Sequence, residues 1–111
     1  MQLDPGLYDL HASVCKTLAS STRLRIIEAL GHSAMPAGEI ARALGIQKAN
    51  VSQHLAVMRS MGIVRARREG LHVFYRLTSP KIIQACQLMR EVLLEQLAER
   101  RDILETQKGP R

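Results

Sequence analysis

Aromatic residues are almost absent from this chain of 111 residues, which contains no Trp, two Tyr and one Phe. Because aromatic side chains usually supply much of the buried area of a core, this core must be built from Leu, Ile, Val, Ala and Met. The length allows one small domain, residues 1–111. A domain of this size buries a modest core and often completes it with a second subunit, so we expect a dimerising single domain.

Long hydrophobic runs, an export signal and a cysteine framework are missing as well. No stretch approaches the length that spans a bilayer. The N-terminal MQLDPGLYDL has neither the basic nor the apolar region of a signal peptide. The only cysteines are Cys15 and Cys86, which argues against a disulfide scaffold. These absences predict a cytoplasmic protein without a membrane partner.

Acidic residues are scarce in the middle of the chain. Between Ile40 and Arg76 there are seven Lys and Arg residues and a single acid, Glu69. The rest of the chain carries both signs equally, so this segment accounts for the whole net charge of +6. A solvated face normally mixes the two signs. A positive excess confined to one third of the chain therefore indicates a surface that binds a polyanion.

Apolar spacing predicts two helices in the first third of the chain. Leu7 to Leu18 has helical periodicity after a Pro-Gly breaker. A second helix, TRLRIIEAL, follows, with Ser20 or Ser21 as its N-cap and Gly31 as its end. HSAMPAG is predicted to be a loop.

Residues 38–61 have the pattern of a helix–turn–helix. GEIARAL packs through Ile40, Ala41 and Leu44, and Gly45 permits a sharp turn because glycine adopts positive φ without steric cost. The second helix packs through Val51, Leu55 and Met58 and stops at Gly62. Its other face presents Lys48, Ala49, Ser52, Gln53 and Ala56, mostly short side chains that let a helix approach the floor of a DNA major groove. A lone polar helix face is more often merely solvated, and here the glycine turn, the lack of acids and the basic segment that follows favour DNA.

Residues 63–77 alternate with period two around Glu69-Gly70, which predicts a β-hairpin with Val64, Ala66, Val73, Tyr75 and Leu77 on one face. Arg65, Arg67, Arg68 and His72 lie along it or near its tip. Arginines of this kind contact phosphates or enter a minor groove. The alternative is a set of solubilising arginines, which the single acid among so many bases disfavours.

A long helix is predicted over 79–105, with Ser79 as its cap and Pro80 in its first turn. Ile82, Cys86, Met89, Leu93 and Leu97 form one apolar stripe, widened by Ala85, Leu88 and Val92. That face is broader than one small domain covers, and a partner subunit is the simplest cover. The fold class is therefore mainly α with a small β-hairpin, a winged helix–turn–helix whose long last helix needs a partner subunit.

These segments resemble the ArsR/SmtB family of winged helix–turn–helix repressors. The resemblance is carried by LASSTRLRIIEAL, by GEIARALGIQKANVSQHLAVMRSMGIVRARREGLHVFYRL and by SPKIIQACQLMREVL, and it covers roughly residues 12–97. It implies a homodimer whose interface is formed mainly by the long first and last helices. The dimer would bind a pseudo-palindromic double-stranded operator and release it when an inducer is sensed. It places DNA contacts on Gln47, Lys48, Asn50, Ser52, Gln53 and His54, and wing contacts on Arg67 and Arg68. Gln47 stands where relatives often have the Ser that opens this helix.

The usual inducer sites of that family are not present in this sequence. Many relatives bind metals or arsenic through cysteines near the third helix, which here is MPAGEIA, and others through acids and histidines on the last helix, which here has no histidine. We therefore expect no metal and no cofactor, although His11 and Cys15, one turn apart, could seed an unusual site.

Cys15 and Cys86 are the remaining sensor candidates, since the first and last helices pack together in the family. The two thiols could approach each other within one subunit or between subunits. Linking them, directly or through sulfur atoms, would shift those helices, and a direct disulfide requires Cα atoms within about 7 Å. The alternative is that both are small buried hydrophobes.

Three other functions stay open on the sequence. One is a metal- or metalloid-responsive repressor with a non-standard site, and another is an architectural DNA-binding protein without an inducer. The third is an enzyme using Cys15 and His11. It lacks a third catalytic partner and a second domain to enclose a pocket, so we expect no enzyme.

Overall fold

The computed structural model describes residues 4–107 of the chain. Its elements follow in the order α1 (Pro5–Leu18), α2 (Ser21–Leu30), β1 (Met35–Pro36), α3 (Ala37–Leu44), α4 (Lys48–Ser60), β2 (Val64–Glu69), β3 (His72–Leu77) and α5 (Pro80–Gln107). Helices dominate and the strands form one small antiparallel sheet. The predicted fold class is therefore confirmed.

Capping side chains and glycines set the helix boundaries. The Ser20 hydroxyl accepts a hydrogen bond from the backbone N–H of Arg23, so Ser20 rather than Ser21 caps α2. Gly45 ends α3 with φ of +70° and Gly62 follows α4 with φ of +75°, values that L-residues adopt only under strain. Ser79 accepts from the backbone N–H of Lys81 at the start of α5.

The sheet contains one strand more than the sequence indicated. Its order is β1-β3-β2, and Met35 and Pro36 pair with Tyr75 and Phe74 of β3. The prediction that HSAMPAG is only a loop was therefore wrong at these two residues. A strand of two residues is too short to show a period, and it forms here because β3 offers it a free edge.

The hairpin of β2 and β3 turns at Gly70 and Leu71, between the paired residues Glu69 and His72. Gly70 has φ of +62° and Leu71 does not have positive φ, which is the pattern of a type II′ turn. The expected alternation holds near the base, where Val64 is buried, but fails at Val73, which is 37% exposed. The hairpin projects beyond the core, so its outer residues have nothing to pack against.

The core is aliphatic, as the composition predicted. Its fully buried side chains come from α2, α3 and α4 and are Ile26, Ile27, Ile40, Val51, Leu55 and Met58. Only the beginning of α5 reaches this core, through Ile82, Ile83 and Cys86. The approach is close, since a Cβ placed on Gly31 would lie 2.8 Å from Cγ1 of Ile83.

Beyond Cys86 the apolar residues of α5 are uncovered. Met89, Leu93 and Leu97 are each at least half exposed, and so are Tyr8 and Leu10 of α1. These faces are therefore unpartnered within a single chain.

In the described part of the chain, no helix combines the length and the apolarity needed to cross a bilayer.

Candidate nucleic-acid interface

Helix α4 is fixed in the fold by three side chains on one stripe. Val51, Leu55 and Met58 are completely buried, and α4 packs on α3 and β2. Ile40, Ala41 and Leu44 of α3 are buried as well, so the packing predicted for the two helices is confirmed. Gly45 provides the turn between them.

The opposite side of α4 is open to solvent. Lys48, Asn50, Ser52 and Gln53 are exposed, as are the small residues Ala49 and Ala56 between them. Small residues at the centre with polar ones around them let a helix lie deep in a groove while the polar side chains reach base edges. The face is therefore shaped for a major groove.

Gln47 occupies the N-cap position of α4 without capping it. It is exposed, and its side chain makes no hydrogen bond to the first turn. The N–H groups of a helix N-terminus that lack a cap favour an anion, and Lys48 adds a full positive charge there. The start of α4 is suited to a phosphate.

His54 lies apart from the other candidates. Its side chain is half-buried, and its Nδ1 accepts a hydrogen bond of 3.1 Å from Nε of Arg23 on α2. The structure therefore gives His54 an internal partner that sequence periodicity could not reveal, because the two residues are 31 positions apart.

Val57 was not singled out from the sequence, yet it is 39% exposed on the open face, one turn after Gln53. An exposed β-branched residue in this position suits contact with a thymine methyl group. The signal was present in the sequence, because position 57 does not belong to the buried stripe of α4.

The predicted wing arginines have different surroundings. Arg67 forms an exposed ion pair with Glu69, which occupies part of its donor capacity. Arg68 is exposed across from Val73, and within residues 4–107 it forms no ion pair. Leu71 at the tip is 94% exposed.

Two further arginines face each other on the hairpin. Arg65 and Arg76 are opposite one another in the β2–β3 register, both are exposed, and no acid of the described residues pairs with either. They lie on the sheet face away from Val64 and Leu77. Like charges directly opposite in an antiparallel pair repel, so this position is favourable for an anion.

The two cysteines differ in environment. Cys15 is exposed on α1, whereas Cys86 is half-buried against the core. Burial raises the pKa of the Cys86 thiol, an effect that Arg90 opposes and Glu28 reinforces. In one subunit α1 and α5 each pack on α2 and have little direct contact with each other.

Within a single chain, residues 4–107 do not form a metal site. They include no group of three or more His, Cys, Asp and Glu side chains placed to hold an ion. His11 and Cys15 are both exposed on α1, and nothing else in the described chain joins them.

The chain is similar to known DNA-binding regulators. A helix-turn-helix domain family matches residues 18–67. The HTH-type transcriptional regulator Rv0081 of Mycobacterium tuberculosis is 38% identical over 106 residues, which are 95% of this chain and 92% of that protein.

Solved structures give the same result. The crystal structure of Rv0081 superposes with a TM-score of 0.77 at 37% identity, covering 88% of this chain and 98% of that one. The homodimeric winged helix-turn-helix domain of Mb0332 from Mycobacterium bovis is described as a possible ArsR-family regulator. It superposes with a TM-score of 0.78 at 33% identity, covering 88% of this chain and 93% of that one. The transcriptional repressor BigR from Xylella fastidiosa superposes with a TM-score of 0.70 at 33% identity, covering 77% of this chain and 87% of that one.

Proposed function

The chain belongs to the ArsR/SmtB family of winged helix–turn–helix transcriptional regulators, and from that membership we propose that it is a homodimeric cytoplasmic repressor of a pseudo-palindromic operator. As a member of this family it is a DNA-binding protein and not an enzyme. The family resemblance of the sequence is thereby confirmed, and the enzymatic use of Cys15 and His11 is set aside.

The observation that carries the proposal is the combination of a buried stripe and an open polar face on α4. Val51, Leu55 and Met58 hold the helix rigidly, so the face it presents has a defined orientation. We assign base contacts to Ser52 and Gln53, with Asn50 beside them. Gln and Asn suit adenine, and the exposed Val57 suits thymine.

Phosphate contacts are assigned to the start of α4 and to the wing. Gln47 and Lys48 lie at the uncapped N-terminus of α4, where a phosphate oxygen accepts from backbone N–H groups. Arg67 and Arg68 of the wing supply charge without sequence information. On binding DNA, Arg67 exchanges its ion pair with Glu69 for a contact with a phosphate. His54 has a different role, because its hydrogen bond with Arg23 holds α4 to α2.

The proposed homodimer buries the apolar faces of α1 and α5. Leu10 of α1 and Met89, Leu93 and Leu97 of α5 are at least half exposed in the single chain, and an apolar surface of this extent usually marks an interface. The neighbouring domain of Mb0332 is homodimeric. A two-fold dimer presents two α4 helices to two half-sites about one helical turn of DNA or a multiple apart.

For the inducer we propose a two-electron thiol oxidant or a polysulfide that links Cys15 and Cys86. Two thiols lose two protons and two electrons, and their sulfur atoms become joined directly or through added sulfur. Diamide takes up the electrons and protons at its N=N bond and becomes a hydrazine. A polysulfide is cleaved at its S–S bonds, supplies any added sulfur and leaves as hydrosulfide. Because α1 and α5 have little contact within one subunit, the link joins Cys15 of one subunit to Cys86 of the other. Exposed Cys15 is the thiol that reacts first.

The experiment is a gel shift on the DNA upstream of the gene, with diamide, polysulfide, zinc and arsenite in parallel. Release by diamide or polysulfide, abolished in both Cys15→Ser and Cys86→Ser and reversed by dithiothreitol, supports the thiol inducer. Release by zinc or arsenite supports a metal-responsive repressor instead. Binding that no treatment changes removes the inducer proposal, and sedimentation of the same sample as a monomer removes the homodimer.

A further inference from the structure

Arg23 joins three helices through one side chain. Its Nη1 donates a hydrogen bond of 2.9 Å to the backbone carbonyl of Thr17 on α1, and its Nε donates one of 3.1 Å to Nδ1 of His54 on α4. Its own backbone N–H is held by the Ser20 cap at the start of α2. Arg23 is half-buried, and its hydrogen bonds to Thr17 and His54 are partly shielded from competing water.

The contact on α1 stabilises the end of that helix. Thr17 lies in the last turn of α1, where carbonyl groups have no partner within the helix. A guanidinium there satisfies an acceptor and is attracted by the negative end of the helix dipole. Thr17 is itself buried and its hydroxyl donates to the Ser13 carbonyl, so this turn of α1 is well fixed.

The contact on α4 adds a polar connection to the packing of the shared core, to which α2 and α4 both contribute. Among the described elements, the backbone of α4 lies closest to α3 and β2 rather than to α1 or α2. His54 directly follows Ser52 and Gln53 in the chain, at the edge of the buried stripe. Its ring therefore ties the open face of α4 to the first two helices.

We propose that Arg23 is a positioning residue that couples the subunit-facing helix α1 to the DNA-facing helix α4. It acts by holding His54 and the end of α1 in one fixed geometry. The proposal rests on the proposed function, because it gives the path by which a change at α1, two residues beyond Cys15, alters the orientation of α4. Arg23 contacts no base or phosphate in this role.

The guanidinium shape is required for the bridge. Its planar fork donates in two directions at once, while a Lys ammonium at the end of a flexible stem keeps the charge but not the paired geometry. Arg23→Lys therefore removes the coupling and retains the charge. On His54, an Asn oxygen comes near the position of Nδ1 and accepts in its place, whereas Leu keeps the bulk and accepts nothing.

Arg25 supplies the matched control. It is also on α2, and its Nη2 donates a hydrogen bond of 2.9 Å to the Leu44 carbonyl at the end of α3. It thus caps a helix end with the same chemistry but, among residues 4–107, forms no side-chain hydrogen bond to α4. Arg25→Lys tests the loss of a helix-capping arginine without the loss of the bridge.

The first measurement is hydrogen exchange of the full DNA-free chain. We expect Arg23→Lys and His54→Leu to speed exchange in the peptide of α4 by about tenfold, with exchange in α3 unchanged. His54→Asn stays near wild type, and Arg25→Lys affects α3 rather than α4. Unchanged exchange of α4 in Arg23→Lys would overturn the proposal whatever DNA the protein binds.

The second measurement is a double-mutant cycle of Arg23→Lys and His54→Leu. For wild type, each single variant and the double variant, it measures the affinity for the upstream DNA, which contains the operator, and for a shuffled duplex. We expect each single variant to lose about tenfold in affinity for the operator only, and the double variant to lose no more than either one. Additive losses, or equal losses on both DNAs, contradict the coupling. A His54→Asn variant as weak as His54→Leu identifies a direct DNA contact instead. If the wild-type protein binds both DNAs equally well, the proposed operator function is refuted. The coupling through Arg23 is still tested, because the hydrogen-exchange experiment does not involve DNA.

Discussion

Arg65 of β2 lies directly opposite Arg76 of β3, on the exposed face of the hairpin and without an acidic partner among residues 4–107. In a protein that binds no anion, replacing either arginine by a neutral residue would increase stability. The pair is understandable in a DNA-binding protein, because a phosphate placed between the two guanidinium groups converts their repulsion into attraction.

Replacing Arg76 by Gln should separate these two effects. The free protein should become more stable by about 0.5 kcal/mol, since one like-charge pair is removed. Its affinity for any DNA should fall, and the slope of log affinity against log salt should decrease in magnitude by about 1. Arg101→Gln, which removes the same charge near the far end of α5, is the control. If both variants have the same salt slope, Arg76 does not contact DNA.

A side chain at Gly45 should cost stability, because this residue turns the chain between α3 and α4 with φ of +70°. Gly45→Ala should lower the free energy of unfolding by about 1–2 kcal/mol, the cost of a left-handed conformation for an L-residue. Gly38 lies inside α3 with no atom within 4 Å of an added Cβ. Gly38→Ala should therefore be neutral or slightly stabilising. Equal effects of the two substitutions in urea unfolding would contradict this.

The helix boundaries could be predicted because local chemistry determines them. Ser20, Gly45, Gly62 and Ser79 act within two or three residues of their own positions, and the stripe of Val51, Leu55 and Met58 is set by helical periodicity. The solvent-exposed positions of α4 follow from the same periodicity.

Features that arise from distant parts of the chain could not be predicted. Strand β1 exists because β3 has a free edge beside Met35 and Pro36. The partner of His54 is Arg23, from another helix, and no local pattern relates them. The exposure of Val73 follows from how far the hairpin projects, which depends on the size of the core rather than on the strand sequence.

Cys15 should react with iodoacetamide faster than Cys86 in the folded protein near neutral pH. Cys15 is exposed, whereas Cys86 is half-buried and burial raises the pKa of its thiol, which lowers its thiolate fraction. Peptide mass mapping over time measures both rates in one sample. The difference should disappear in denaturant, and an equal rate in the native protein would contradict the assigned environments.

The ion pair of Glu28 with Arg90, which links α2 to α5, should make stability depend on pH. The hydrogen bond from Arg90 lowers the pKa of Glu28 below its ordinary value of 4.5. A carboxyl group whose pKa is lowered by folding stabilises the fold above its unfolded pKa, and this contribution is lost as the pH falls through the folded pKa. Glu28→Gln should therefore melt slightly lower than wild type at pH 7, and the difference in melting temperature should close as the pH falls below 4.5 and through the lowered pKa of Glu28. A gap that persists in acid would contradict the pairing.

Relative affinity for two DNA duplexes shows whether the open face of α4 reads a specific DNA sequence. The affinities of the wild-type protein and of Gln53→Ala are measured at one salt concentration. Each protein is tested on the DNA upstream of its own gene and on a shuffled duplex of the same composition. Wild type should prefer the upstream DNA by about 10³-fold or more. Gln53→Ala should reduce that preference by at least about tenfold while leaving affinity for the shuffled duplex unchanged. Equal affinity of the wild-type chain for the two duplexes would contradict the claim.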